Sequence, residues 1–133
     1  MKEILISVYG TLRKGNGNHT LIKNAEYKGT FTSEPTYGLY SLGGFPGLKE
    51  NGNTAVVMEV YSVNEEEARK VDNLEGYTEN ETPYFYDKKI IPTPWGDAGV
   101  YIYVKQPNES SLIKNGDWMN RFQEIKNLEI IEK

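Results

Sequence analysis

The apolar positions at the start of the chain predict a buried strand. Ile4–Val8 is apolar at every position except Ser7, and a short apolar run that stops at a turn is typical of a strand inside a sheet. The run ends at Tyr9-Gly10, and the residues from Arg13 to Asn18, which are rich in Gly, Asn and Lys, predict a loop. A short helix is predicted over His19–Ala25.

Alternating apolar and polar residues predict further strands. From Lys28 to Leu48, β-prone residues alternate with turn formers, and Asn51-Gly52-Asn53 predicts a hairpin turn before the next strand. Pro92–Asp97 is predicted as the loop between two later strands. The remaining strands are predicted at Thr54–Val63, Tyr84–Ile91, Gly99–Lys105 and Leu128–Ile131.

Two helices have recognisable boundaries. Asn64 is a good N-cap with Glu67 at the third helical position, which is the capping-box arrangement, and Gly76 is placed to end that helix. The second helix is predicted to begin at Asp117, with apolar residues at helical spacing at Trp118, Phe122 and Ile125. Because strands outnumber helices and are joined mostly by turns, we expect an α+β domain around a mixed sheet or small barrel.

Composition narrows the classes of function. A chain of 133 residues fits a single domain over 1–133, and its formal net charge of −4, with 15 scattered Lys and Arg, does not favour nucleic acid as a partner. The sequence contains no cysteine, which excludes disulfides, thiolate metal sites and a cysteine nucleophile. No stretch approaches the ~20 apolar residues of a membrane span, so a cytoplasmic protein is expected.

Glu75 is the acidic residue that helical periodicity places on the buried face. At about 100° per residue, it falls inside the arc set by Ala68 and Val71, which should meet the core. Partial burial and the negative end of a helix both disfavour an ionised carboxylate, so its pKa should be raised into the range of proton transfer near neutrality. The alternative is that the last turn frays and Glu75 points into water.

The loop after the first strand offers backbone donors. Tyr9–Gly15 runs Tyr-Gly-Thr-Leu-Arg-Lys-Gly, and a strand that enters such a turn exposes successive N–H groups that can bind an anion or oxyanion. It is not a Walker A loop, because Asn16-Gly17 stands where Lys-Ser/Thr is required. An ordinary turn is the competing interpretation.

Other polar candidates are weaker. His19 is the only histidine, and without a Ser-His-Asp pattern or a second histidine it is expected at most to support the site from behind. Several tyrosines alternate along two predicted strands, so one sheet face could carry their rings: Tyr84, Tyr86, Tyr101 and Tyr103. Most should belong to the core, while one or two, Tyr103 among them, are expected to line a pocket.

Taken together and in order, these segments resemble a known family. Val8–Gly15, continuing to His19, closely resembles the opening signature of the gamma-glutamylcyclotransferase-like family, and especially its gamma-glutamylamine cyclotransferase branch. Glu59–Val63 is similar to a Glu-Val-Tyr strand of that family, Val71–Tyr77 to its acidic helix end, and Gly116–Trp118 to a Gly-Asp-Trp near the C-terminus. The resemblance spans nearly the whole chain.

The resemblance implies a compact α/β fold with a barrel-like sheet, and an enzyme that needs no cofactor or metal. Its reaction would convert a small-molecule γ-glutamyl amine or γ-glutamyl amino acid to 5-oxoproline and a free amine. Glu75 would then be the general acid/base. The γ-glutamyl group would be cradled by the backbone of Tyr9, Gly10, Thr11 and Leu12.

Two departures from the family pattern stand out. Many relatives carry an Arg two residues after the Tyr that follows the catalytic helix, whereas Tyr84 is followed here by Phe85 and Tyr86. Met58 stands where relatives often have Gly. The first bears on substrate binding and the second on packing. The competing function is a binding module that holds a small acid in the same pocket without catalysis.

Overall fold

A computed structural model describes residues 3–122 of the chain. This part contains one α-helix, α1 at Glu65–Glu75, together with strands and short 3-10 helices. The strands are β1 Ile4–Val8, β2 Glu26–Thr32, β3 Tyr37–Ser41, β4 Pro46–Glu50, β5 Val57–Val63, β6 Tyr86–Thr93 and β7 Gly96–Tyr103. The 3-10 helices are Gly17–Ile22, Glu109–Ser111 and Trp118–Asn120. None of the helices in this range has the length and apolar character required to cross a membrane.

The strands form a mixed sheet, as predicted. The main sheet has the order β2-β5-β1-β7-β6, with β1 antiparallel to β5 and parallel to β7, and β3 and β4 form a separate hairpin. Its edges, β2 and β6, are not hydrogen-bonded to each other among the described residues, so the sheet does not close as a barrel. It is nevertheless curled, because Trp95 in the β6–β7 turn packs on Gly29 of β2, where a Cβ would lie 2.2 Å from Trp95 Cζ2.

The two faces of the main sheet bury different apolar sets. Residues opposite one another in the β1–β5 register point to the same face. One face packs around Leu5, Met58, Val60, Ala98 and Val100. The other face is covered by α1 and by the 3-10 helix Gly17–Ile22, and it buries Ile6, Val8, Tyr61, Val63, Val71 and Tyr101. The covered face therefore holds α1 near the end of β1.

The ends of α1 are set by local sequence, as predicted. The Asn64 side chain accepts a hydrogen bond from the backbone N–H of Glu67, and the Glu67 carboxylate accepts one from the backbone N–H of Asn64. Gly76 ends the helix with φ 72°, a left-handed conformation that glycine adopts without a side-chain clash. These caps make Glu75 the last helical residue.

Two boundaries near the N-terminal half differ from prediction. The helix predicted at His19–Ala25 is a 3-10 helix at Gly17–Ile22. Its hydrogen bonds span three residues, for instance from the His19 N–H to the Asn16 carbonyl, as expected of a segment too short for an α-helix. The strand predicted from Thr54 begins at Val57, and Thr54 makes an isolated bridge to Tyr37 after the Asn51 turn, where φ is 66°.

The predicted loop at Pro92–Asp97 is wrong. Pro92 and Asp97 pair with each other inside a β6–β7 hairpin, and only Pro94 and Trp95 connect the strands. A proline is tolerated there because β6 is an edge strand, where a missing N–H need not break a ladder. The two strands begin at Tyr86 and Gly96, later and earlier respectively than the sequence predicts.

The helix predicted from Asp117 is also wrong in length. It is a 3-10 turn at Trp118–Asn120, although Asp117 does cap it by accepting a hydrogen bond from the Met119 N–H at 3.1 Å. Its start was therefore predictable from the cap and its extent was not. Ile125 and the strand predicted at Leu128–Ile131 lie outside the described residues.

Candidate active site

A cavity of about 540 Å³ opens where β1, α1 and the β3–β4 hairpin meet, a size typical of small-molecule sites. It brings Glu75 together with the loop after β1, although these segments lie more than sixty residues apart in sequence. The lining consists of Ser7, Val8, Tyr9, Gly10, Thr11, Leu12, Asn18, Gly44, Phe45, Pro46, Leu74, Glu75, Gly76, Phe85, Tyr86 and Tyr101.

The loop presents unpaired backbone donors. Within residues 3–122, the N–H groups of Gly10, Thr11 and Leu12 make no hydrogen bond, whereas the next N–H, that of Arg13, donates to the Gly10 carbonyl at 3.0 Å. Three successive free donors at a cavity wall can bind a carboxylate or an oxyanion. The sequence predicts successive free donors in this loop, and their role in holding a ligand stays a prediction.

Two polar side chains fix this loop from behind. Asn18 Nδ2 donates to Thr11 Oγ1 at 2.9 Å. His19 Nδ1 donates to the Leu12 carbonyl at 2.9 Å, and its ring packs against that of Tyr61. Of the two, Asn18 itself lines the cavity and His19 does not. His19 thus supports the loop, the role expected of it.

Gly10 leaves no room for a side chain. A Cβ there would lie 2.4 Å from Pro46 Cγ, and both residues line the cavity. We expect Gly10→Ala to displace Pro46 or the loop and to lower kcat/KM about 10–100-fold through misplaced donors.

The matched control for this prediction is Gly17→Ala, because a Cβ at Gly17 would meet nothing within 4 Å. Steady-state kinetics and ligand affinity are compared for both variants. Wild-type kinetics in Gly10→Ala would contradict the assigned fit.

Glu75 is half-buried and lines the cavity from the end of α1. Desolvation by burial raises the pKa of its carboxyl from 4.5 to about 7. Among the described residues it makes no hydrogen bond that would stabilise the ionised form. The predicted inward orientation is observed, and the frayed, solvent-facing alternative is not. Such a carboxyl can both accept and donate a proton near neutrality.

The phenols near Glu75 are held by other acceptors. Tyr9 Oη donates to the Tyr101 carbonyl at 2.7 Å, Tyr86 Oη donates to the Pro46 carbonyl at 2.8 Å, and Tyr101 Oη donates to the Asp72 carboxylate. Burial, followed by the hydrogen bond to Asp72 and by repulsion from the Asp72 and Glu75 carboxylates, raises the pKa of Tyr101. Because each hydroxyl proton is already engaged, none of these phenols stabilises the Glu75 carboxylate.

Burial of Glu75 has a consequence for stability. Its pKa is higher in the folded chain, about 7 against 4.5, so its contribution to stability is full below the lower value and is lost as pH rises through the upper one. Relative to Glu75→Gln, the wild type should lose on the order of 2 kcal/mol of unfolding free energy between about pH 5 and about pH 8, discounted for partial solvent access. Urea unfolding of both proteins at the two pH values measures this. Parallel changes would contradict it.

The tyrosines separate into different environments. Tyr86 and Tyr101 are buried and line the cavity, whereas Tyr84 is exposed. Tyr103, predicted as a substrate contact, is not part of the cavity lining formed by the described residues. Its ring packs against Tyr86 with centroids 5.5 Å apart. Because side chains alternate along a strand, Tyr101 and Tyr103 are predicted on the same sheet face. The sequence does not show that the cavity lining includes Tyr101 and not Tyr103.

A buried ion network, not predicted from sequence, anchors the loop. Arg13 Nε donates to Glu59 Oε2 at 2.8 Å, and Arg13 Nη1 donates to Asp117 Oδ1 at 2.7 Å. Glu59 Oε1 also accepts from the Lys14 N–H at 3.0 Å and from Tyr61 Oη at 2.7 Å. Three segments that resemble family motifs therefore meet at this network: Val8–Gly15, Glu59–Val63 and Gly116–Trp118. No signal in the sequence pairs them.

Groups of His, Asp and Glu side chains placed to hold a metal ion do not occur in residues 3–122. The geometry instead combines one carboxyl of near-neutral pKa, free backbone donors and apolar walls. This arrangement can bind a small zwitterion and move a proton within it.

Comparisons with known proteins show which family the sequence matches. Residues 6–120 match the family described as Gamma-glutamyl cyclotransferase, AIG2-like. A Vibrio cholerae relative, whose name gives gamma-glutamylcyclotransferase as an unconfirmed activity, is 43% identical over 117 residues, covering 88% of this chain and 96% of its own length. The Escherichia coli gamma-glutamylcyclotransferase family protein YtfP is 36% identical over 116 residues, covering 87% of this chain and 96% of its own length.

Solved structures share the fold. The solution structure of E. coli ytfP aligns with a TM-score of 0.68 at 36% identity, covering 89% of this chain and 98% of that chain. The crystal structure of an uncharacterized Pyrococcus horikoshii protein aligns with a TM-score of 0.76 at 28% identity, covering 93% of this chain and 97% of that one.

Proposed function

The chain belongs to the gamma-glutamyl cyclotransferase, AIG2-like family, and from that premise we propose that it converts a γ-glutamyl amine or γ-glutamyl amino acid to 5-oxoproline and a free amine. Glu75 serves as general acid/base, and the backbone of Tyr9, Gly10, Thr11 and Leu12 holds the γ-glutamyl group. The supporting observation is that one cavity is lined both by a carboxyl of near-neutral pKa and by free backbone donors.

The first half of the reaction is a ring closure. The substrate α-ammonium gives a proton to the Glu75 carboxylate, and the resulting amine attacks the γ-carbonyl carbon, forming a C–N bond. Because the nucleophile belongs to the substrate, the protein chiefly has to hold the chain in its curled form. The N–H groups of Gly10–Leu12 are placed to bind the substrate carboxylate or the oxyanion of the tetrahedral intermediate.

The second half is expulsion of the amine. The protonated Glu75 carboxyl delivers its proton to the leaving nitrogen as the γ-carbon–nitrogen bond breaks and the carbonyl re-forms. The ring nitrogen still carries one proton more than a lactam holds, and Glu75, again a carboxylate, takes this proton and passes it to the departing amine. The products are 5-oxoproline and the amine as its ammonium ion, and Glu75 ends as a carboxylate. A pKa of about 7 suits both steps, because the two forms of the carboxyl are then equally available near neutrality.

The test is a 5-oxoproline release assay on the full chain. Purified protein is incubated with γ-glutamyl amines and γ-glutamyl amino acids, and 5-oxoproline and the amine are measured together by mass spectrometry. Equal amounts of both products support the proposal. Tight binding of 5-oxoproline without turnover of any substrate would overturn it in favour of the binding module.

A further inference from the structure

The rim of the cavity is apolar and exposed. Resting on the proposed function, we infer that the leaving amine carries an apolar alkyl or aromatic substituent, which binds between Phe45, Leu74 and Phe85. These side chains are 46%, 42% and 46% exposed, and all three line the cavity. A side chain that both lines a cavity and remains exposed lies at its opening, so together they form an apolar rim.

The floor of the cavity is closed. Its other apolar lining residues, which include Val8, Leu12, Tyr86 and Tyr101, are buried. The γ-glutamyl group, held by the loop donors, occupies this inner part. Glu75 has to reach both the α-amine and the leaving nitrogen, so the substituent on that nitrogen extends from Glu75 toward the opening. Leu74, adjacent to Glu75 in the chain, lies on that path.

The charges of the lining disfavour an acidic leaving group. Glu75 is the one charged side chain among the lining residues of the described part. A leaving amino acid would bring a second carboxylate to an apolar rim beside that carboxyl, without a cation in the lining to pair with it. Desolvation and like-charge repulsion both oppose this. An uncharged apolar substituent avoids both costs.

One cation lies near the rim. Lys105 Nζ is 3.7 Å from the centroid of the Tyr84 ring and 4.8 Å from that of Phe85. It does not line the cavity, and its position against two ring faces is the usual one for a cation–π contact. If Lys105 instead binds a carboxylate on the leaving group, substrates with an acidic leaving group will be preferred. That preference is the opposite of the one inferred here.

The experiment compares substrates that differ only beyond the leaving nitrogen. γ-Glutamylbenzylamine is compared with γ-glutamylmethylamine for the apolar contribution, and γ-glutamylethylamine with γ-glutamylglycine for the charge. We expect kcat/KM to be at least ~10-fold higher for the benzyl compound than for the methyl one, in line with the discrimination that apolar contacts give. The glycine compound should be the poorest.

Rim variants locate the preference. Phe85→Ala and Leu74→Ala should each lower the benzyl-to-methyl ratio about threefold or more. The control, Ile90→Ala, removes another exposed apolar side chain, 66% exposed on β6 and outside the cavity, and should leave the ratio unchanged. Equal kcat/KM for all substrates, a preference for the glycine compound, or a ratio insensitive to both rim changes would overturn the inference.

Binding separates this inference from the proposed function. Calorimetry with Glu75→Gln measures the affinity of the benzyl and methyl compounds where no turnover is expected. Tighter binding of the benzyl compound supports the apolar rim even if wild type releases no 5-oxoproline, in which case only the proposed reaction fails. Equal affinities for the two compounds would overturn the apolar rim. The proposed reaction would still be supported if the wild type releases 5-oxoproline.

Discussion

Replacing Glu75 with glutamine is expected to lower kcat about 10²–10⁴-fold, with little change in the affinity for 5-oxoproline. Glutamine keeps the size and shape of the side chain but cannot accept a proton from the substrate ammonium. The loss should not reflect unfolding, because removal of a desolvated carboxylate stabilises the fold at neutral pH. Activity and unfolding free energy should therefore move in opposite directions.

The control for this variant is Glu66→Gln on the same helix. Glu66 is exposed and makes an i,i+4 ion pair with Lys70 at 3.4 Å, an interaction worth only a few tenths of a kcal/mol. Its kinetics should match wild type. Turnover by Glu75→Gln within a few-fold of wild type would reject Glu75 as the acid/base.

The pH dependence of the wild type gives an independent check. Since the free enzyme needs Glu75 as a carboxylate, kcat/KM should rise with pH through about 7. If the acidic limb instead falls near the ordinary pKa of a glutamate, burial does not raise the pKa of Glu75 in the free enzyme. Kinetics from about pH 5 to about pH 9 across several buffers resolve the limb.

What sequence could predict here was local. The Asn64 cap and Gly76 stop fix α1 through contacts between residues a few positions apart, and periodicity then turns Glu75 inward. The sequence predicts a loop at the tip of the β6–β7 hairpin because Pro92 disfavours a central strand. Pro92 is tolerated because β6 is an edge strand, and the position of a strand at the edge is a property of the whole sheet. The helix after Asp117 was overextended because a cap specifies a start without specifying a length.

The contacts that support the site could not be predicted from sequence, because they join residues that are far apart in the chain. Arg13 is separated from Glu59 and Asp117 by 46 and 104 residues respectively, and nothing in the spacing of either acid points to it. Likewise, the end of the cavity between Tyr101 and Tyr103 is set by where β7 meets the β3–β4 hairpin. Resemblance located the motifs, and the fold explains why they occur together.

Replacing Arg13 with methionine is expected to destabilise the fold by about 3–5 kcal/mol, the usual cost of removing one member of a buried charge group. The Arg13 and Glu59 side chains are only 8% and 9% exposed. Burial alone would raise the pKa of Glu59, but hydrogen bonds from Arg13, Lys14 and Tyr61 outweigh it and hold that pKa below 4.5. Without Arg13 the carboxylate is left buried and largely uncompensated.

The sign of this effect depends on pH. In wild type, the stability contributed by Glu59 is present above its unfolded pKa and is lost as pH falls through the lower folded value. In Arg13→Met, desolvation should raise that pKa instead, so the penalty grows as pH rises. Urea unfolding should show a larger gap between the two proteins at about pH 7 than at about pH 4. The control is Lys14→Ala, which removes only an exposed side chain. Its unfolding free energy should match that of wild type at both pH values.

Stability and positioning can then be separated in one double variant. Arg13→Met with Glu59→Leu removes both buried charges, and an apolar replacement of a buried pair is often neutral or stabilising; Asp117 keeps its hydrogen bonds to the Met119 N–H and to Asn120. Unfolding free energy should recover, yet the Lys14 N–H loses its acceptor. Because that bond fixes the loop carrying the donors of Gly10–Leu12, kcat/KM of the double variant should be below that of wild type. Recovery of both would make the network a matter of stability alone.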